Sequence, residues 1–105
     1  MAITFGQAVS EARKARGLSQ KELAAKILKE DGEAITQQYL NDIEHDRRSP
    51  SSDHIVRQFA KVLGLAEEYL SFLIGKLPST ARRANASPER VEQAFTAFRR
   101  ALDKK

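Results

Sequence analysis

Three side-chain amides, Gln37, Gln38 and Asn41, follow Thr36 closely, and their chemistry is recognition rather than bond-breaking. On a helix capped by Thr36 all three lie on one side, within the first turn and a half, opposite Leu40 and Ile43. A carboxamide carries a donor and an acceptor side by side, which matches the edge of adenine in the major groove of a duplex. The helix N-terminus favours a nearby phosphate. Arg47 and Arg48 come just after this helix and are cations of the kind that hold phosphate. Residues for other chemistry are missing. The chain has no cysteine, and His45 and His54 are nine residues apart with no cysteine near to complete a metal site. No Gly-x-Ser-x-Gly elbow or glycine-rich phosphate loop occurs. No catalytic residue, cofactor or metal is expected, and the chain is not read as an enzyme.

The elements that position these amides are helical throughout. Thr4 can cap a first helix with Phe5, Ala8, Val9 and Ala12 at helical spacing, basic residues near its end and Gly17 as its stop. Ser19 with Glu22 forms a capping box that opens a second helix through Leu23, Ala24, Ile27 and Leu28. Asp31-Gly32 is taken as the end of that helix, and no Asn-Gly or Asp-Gly pair is read as a hairpin turn. The third helix is the short one behind Thr36, closed by Arg47-Arg48-Ser49-Pro50. A fourth starts at Ser51 or Ser52, carries Ile55, Val56, Phe59, Ala60 and Leu63, and stops at Gly64. A fifth runs from about Ala66 to Gly75, and its apolar set, including Tyr69 and Phe72, exceeds one core stripe. Small size makes Ala24 suited to a close helix crossing.

Length allows one domain with a short appendage: 105 residues, 41% hydrophobic and 30% charged. No apolar run is long enough to span a membrane, and the first residues lack a signal-peptide pattern, so a cytoplasmic location is expected. The net charge of +4 is unevenly placed. Residues 1–78 hold eleven basic and eleven acidic side chains, whereas 79–105 hold seven and three. A polyanion-binding face in the first part must therefore be a local patch.

The segments Gly17-Leu18-Ser19-Gln20-Lys21-Glu22-Leu23-Ala24, Thr36-Gln37-Gln38-Tyr39-Leu40-Asn41-Asp42-Ile43-Glu44 and Arg47-Arg48-Ser49-Pro50 occur in that order. Together they closely resemble the Cro/repressor-type (XRE-like) helix-turn-helix transcriptional regulators, over about residues 4–76. The resemblance implies that Gln37 and Gln38 touch base edges and that Gln20 and Tyr39 hold the DNA backbone. It also implies a salt bridge between Arg13 and Glu44, joining the first and third helices. One departure stands out. The link between helices two and three is usually a tight turn, but Lys29 to Ile35 makes it longer and acidic here. Ile35 can still plug the core, with the extra residues bulging away from phosphate.

Pro78 to Ser87 reads as a linker containing Arg82 and Arg83, and Ser87-Pro88-Glu89 opens a last helix. Its Val91, Phe95, Phe98 and Leu102 form a coiled-coil-like seam. That helix has three open readings: closing its own domain, pairing with a second subunit, or binding another protein.

The expected fold is all-α, a five-helix phage-repressor-like helix-turn-helix domain at 1–77, a linker at 78–87 and a C-terminal amphipathic helix at 88–105. The expected function is that of a dimeric, sequence-specific repressor of double-stranded DNA. Base contacts fall to Gln37, Gln38 and Asn41, backbone contacts to Gln20, Tyr39, Arg47 and Arg48. The dimer interface falls to Tyr69, Phe72, Val91, Phe95, Phe98 and Leu102. Two alternatives stand beside it: an antitoxin-like regulator whose last helix holds a partner, and a protein-interaction module on the same fold.

Overall fold

The computed structural model describes residues 3–77, 79–82 and 85–103, and among these there is no β-strand. The helices are α1 (Phe5–Ala15), α2 (Gln20–Lys26), α3 (Gln37–Glu44), α4 (Asp53–Leu63), α5 (Glu67–Leu73), α6 (Ser79–Arg82) and α7 (Pro88–Asp103). The all-α architecture matches the expectation. Side-chain caps set most of the starts. The Thr4 hydroxyl accepts from the Gln7 N–H while the Gln7 side chain accepts from the Thr4 N–H, and Ser19 and Glu22 repeat this box on α2. Thr36 and Ser52 cap α3 and α4 in the same way from one side. The Ser19 backbone N–H, then its hydroxyl, hold the Glu22 carboxyl below its ordinary pKa. The box is therefore intact at neutral pH and weakens only as pH falls through that lowered value.

One apolar core joins the first five helices. Phe59, Leu23, Ile27, Leu40, Ile43, Ile55, Leu70 and Val9 are its largest fully buried side chains, and Phe59 meets Phe5 edge to face with ring centroids 5.9 Å apart. α1 crosses the end of α3 so closely that a Cβ on Gly6 would lie 2.4 Å from the Ile43 carbonyl oxygen. Asp46, held at φ 59°, turns back from the end of α3 to cap α1, accepting from the Gly6 N–H at 3.1 Å and the Thr4 hydroxyl at 2.6 Å. α3 is thereby fixed at both ends: by Thr36 at its start and by the α1 contact at its finish.

The second helix is shorter than its apolar spacing suggested. It ends at Lys26, and Ile27 is already extended. Asp31-Gly32 does not end a helix but turns a small hairpin. Gly32 N–H donates to the Lys29 carbonyl at 2.9 Å, Lys29 N–H donates to the Glu33 carbonyl at 2.8 Å, and Leu28 bridges Ala34. Gly32 sits at φ 87°, the left-handed position that this three-residue hairpin loop requires. The stem is tied to α4, since Leu28 N–H donates to Gln58 at 3.1 Å and the His54 ring donates to the Leu28 carbonyl at 3.0 Å. Ile35 is buried in the core, as its plug role requires.

The stretch read as a linker contains one helical turn, α6, whose Arg82 pairs with Asp53 of α4. Pro78, Arg83 and Ala84 of that linker, and Lys104 and Lys105 of the last segment, lie outside the described residues. The Ser87 hydroxyl accepts from the Arg90 N–H at 3.3 Å at the start of α7, with Pro88 as its first residue. No described residue of α7 is buried.

Candidate nucleic-acid interface

α3 presents two unlike faces. Leu40 and Ile43 are fully buried, while Gln37 and Gln38 at its N-terminal end are exposed. Asn41 lies on the same outward side, half-buried. The three amides differ in how they are held. No hydrogen bond to another side chain restrains Gln37 among the described residues. Gln38 donates through Nε2 to Asp42 Oδ1 at 3.0 Å, one turn along the helix. Asn41 accepts at Oδ1 from Gln20 Nε2 at 3.2 Å.

Behind these amides lies an ion pair. Arg13 of α1 meets Glu44 of α3 through two bonds, Nε to Oε2 at 2.7 Å and Nη2 to Oε1 at 3.0 Å. The side chains keep only 11% and 4% of their exposure. Arg13 Nη1 also donates to the Leu18 carbonyl at 2.8 Å, and Gln20 Nε2 donates to Glu44 Oε1 at 3.0 Å. The cluster ties α1, the loop before α2, and α2 itself to the inner side of α3.

The backbone candidates form the rim. The Tyr39 hydroxyl accepts from the Ser51 N–H at 3.0 Å and retains its own proton for donation. Arg48 lies over the Tyr39 ring with its guanidinium carbon 5.3 Å from the centroid. Arg47 is held against α3 by Asp42, 3.2 Å from Nη2, yet stays more than half exposed. Gln20 differs from these three because both of its amide hydrogens are donated inside the protein. Asp42 was not singled out in the sequence, although its spacing of four from Gln38 is a signal for such a pair. Ser51, a partner of Tyr39, carries no comparable signal.

The dimer-interface candidates do not form one surface. Phe72 and Phe98 bring α5 and α7 together with ring centroids 6.1 Å apart. Val91, Phe95 and Phe98 line an apolar cleft of about 310 Å³ with Leu77 and Ala81. Tyr69 is elsewhere, lining a separate cleft with Ala8 and Ala12 of α1. Leu102 is the most exposed of the set at 57%. Among the described residues no group of three His, Asp or Glu side chains could hold a metal.

The helix-turn-helix family model matches residues 9–70, which contain α2, α3 and the whole Arg13–Glu44 cluster. Among solved structures, the chain is similar to SinR, the master regulator for biofilm formation, in complex with DNA. That match has 28% identity and a TM-score of 0.53, over 64% of this chain and 97% of that one. It is also similar to a chain of the SinR protein/SinI protein complex, at 26% identity and a TM-score of 0.53, over 95% of this chain and 92% of that one. No curated protein matches the sequence. No described helix is long and apolar enough to cross a membrane. The match over more than half of the chain, on a fold that exposes one face of its third helix, places the protein in the Cro/repressor-type (XRE) family of helix-turn-helix transcriptional regulators.

Proposed function

We propose that the protein is a sequence-specific, dimeric repressor that inserts α3 into the major groove of double-stranded DNA and acts in the cytoplasm without catalysis. The observation that carries this reading is the exposure of Gln37 and Gln38 at the start of a helix whose opposite face is fully buried. Such a helix can enter a groove without giving up its packing. Asn41 completes the base-reading side. Tyr39, Arg47 and Arg48 supply phosphate contacts at the rim, with the Gln20 position beside them. Changing Gln37 to alanine is expected to weaken binding to the operator by about 1–3 kcal/mol and to random duplex hardly at all. Equal losses on both, by titration at fixed salt, would reduce Gln37 to a positioning contact.

Arg48 has a separate signature. Its replacement by a neutral residue should weaken all sequences alike and flatten the plot of log affinity against log salt by about one unit. An unchanged slope removes its phosphate role.

Dimerisation would set two copies of α3 in successive grooves about 34 Å apart. It is supported by the exposed Phe72, Val91, Phe95, Phe98 and Leu102, an apolar surface too extended for a small monomer to leave in water. Sedimentation of the chain cut after Leu77 should show monomer where the full chain is dimeric at micromolar concentration. A truncated chain that still dimerises fully would return α7 to its own domain or to another partner. The second reading, an antitoxin-like regulator whose last helix holds a partner protein, is favoured by the likeness to the SinR/SinI complex. That likeness runs over 95% of this chain and so reaches α7.

A further inference from the structure

We infer that Gln20 is a positioning residue that turns the Asn41 amide outward by its nitrogen, so that Asn41 selects guanine and rejects cytosine. The inference rests on the reading that α3 enters the major groove. Its logic begins at Glu44, a carboxylate that can only accept. Oε2 takes Arg13 Nε, and Oε1 takes both Arg13 Nη2 and Gln20 Nε2. Reversing the Gln20 amide would set its carbonyl oxygen against a carboxylate that is 4% exposed, where little water screens the repulsion. The Gln20 nitrogen is therefore fixed inward.

Its second hydrogen goes to Asn41 Oδ1. Reversing Asn41 would in turn oppose two NH₂ groups, so the oxygen of Asn41 is fixed toward Gln20. Nδ2, with two hydrogens, is left for the outward side of α3. A freely turning asparagine pairs best with adenine, using its oxygen for N6 and its nitrogen for N7. An asparagine whose oxygen is turned back to Gln20 presents donors alone to the groove. Guanine answers with two acceptors, O6 and N7; adenine and thymine each offer one; cytosine presents only a donor. The buried ion pair thus sets a base preference through one intervening side chain. Gln38 is held in the opposite sense, because its nitrogen is engaged by Asp42 and Oε1 has no partner within the described residues. It provides an internal reference that does not depend on Gln20.

The test is selection of bound duplexes from a randomised library by the full-length protein, followed by sequencing. Asn41→Ala and Gln38→Ala identify the base column that each side chain governs, as the one that flattens. In the wild type the Asn41 column is expected to favour guanine over cytosine by about tenfold or more. In Gln20→Leu the same column should move toward adenine while the Gln38 column keeps its preference. Thermal melting accompanies each variant, and Gln20→Met carries the comparison should the leucine variant not fold. The inference fails if the Asn41 column still favours guanine in the Gln20 variant. It also fails if every column weakens equally, the mark of a lost backbone contact. A wild-type protein with no preferred column at all would instead overturn the groove reading, and the inference with it.

Discussion

Replacing Glu44 by alanine is expected to lower stability by about 3–5 kcal/mol, because it leaves the Arg13 charge buried without its partner. Arg13 is 11% exposed and would keep only the Leu18 carbonyl at 2.8 Å. A small domain with total stability of about 5–15 kcal/mol has little margin for such a loss. The pair itself is a different matter from its breakage. Two charges brought out of water give back much of their attraction as desolvation cost, so a double replacement by apolar residues of similar volume should recover most of the loss. Denaturant unfolding of Glu44→Ala, Arg13→Met and the double variant measures both quantities. A single-variant loss under about 1 kcal/mol would mean that the stranded charge reaches water, as exposed ion pairs do.

Phe59→Ala should cost about as much, 3–5 kcal/mol, for an unrelated reason. The ring is fully buried at the meeting of α1 and α4 and stacks edge to face on Phe5. Its removal loses the transfer energy of the side chain, the aromatic contact and the dispersion around the cavity. Phe59→Leu keeps most of the volume and should lose distinctly less. Urea unfolding that found the two variants equal would show that the surrounding core closes over the gap. Since Phe5 begins the helix that carries Arg13, both variants act on residues that hold α1 in place.

Much of this arrangement could be read from residue types. Thr4, Ser19, Thr36 and Ser52 are capping residues ahead of apolar residues at helical spacing, and each caps a helix. The pairing of Arg13 with Glu44 and the outward place of Gln37 and Gln38 were legible through the family pattern and the periodicity of α3. The end of α2 was not. Ile27 and Leu28 continue a helical pattern, but Ile27 enters the core from an extended backbone and hands its carbonyl to Ile35 N–H at 2.9 Å. Periodicity cannot distinguish these two ways of burying one isoleucine. The tethers among polar side chains were also hidden. Gln20 looks like a surface amide in sequence, and only the distances to Glu44 and Asn41 show that both of its hydrogens are used within the protein.

The hairpin at Leu28–Ala34 gives this domain a natural port for engineering. Its two ends are clamped by the Ile27–Ile35 hydrogen bond and by the Gln58 and His54 contacts on α4. These bonds lie between the tip and the two helices that the stem joins, α2 and α3. Lengthening a flexible loop costs only about 0.6 kcal/mol per doubling. A fluorophore-bearing peptide or a second binding module spliced between Glu30 and Asp31 would ride on the clamp, leaving the angle of α3 where the core sets it.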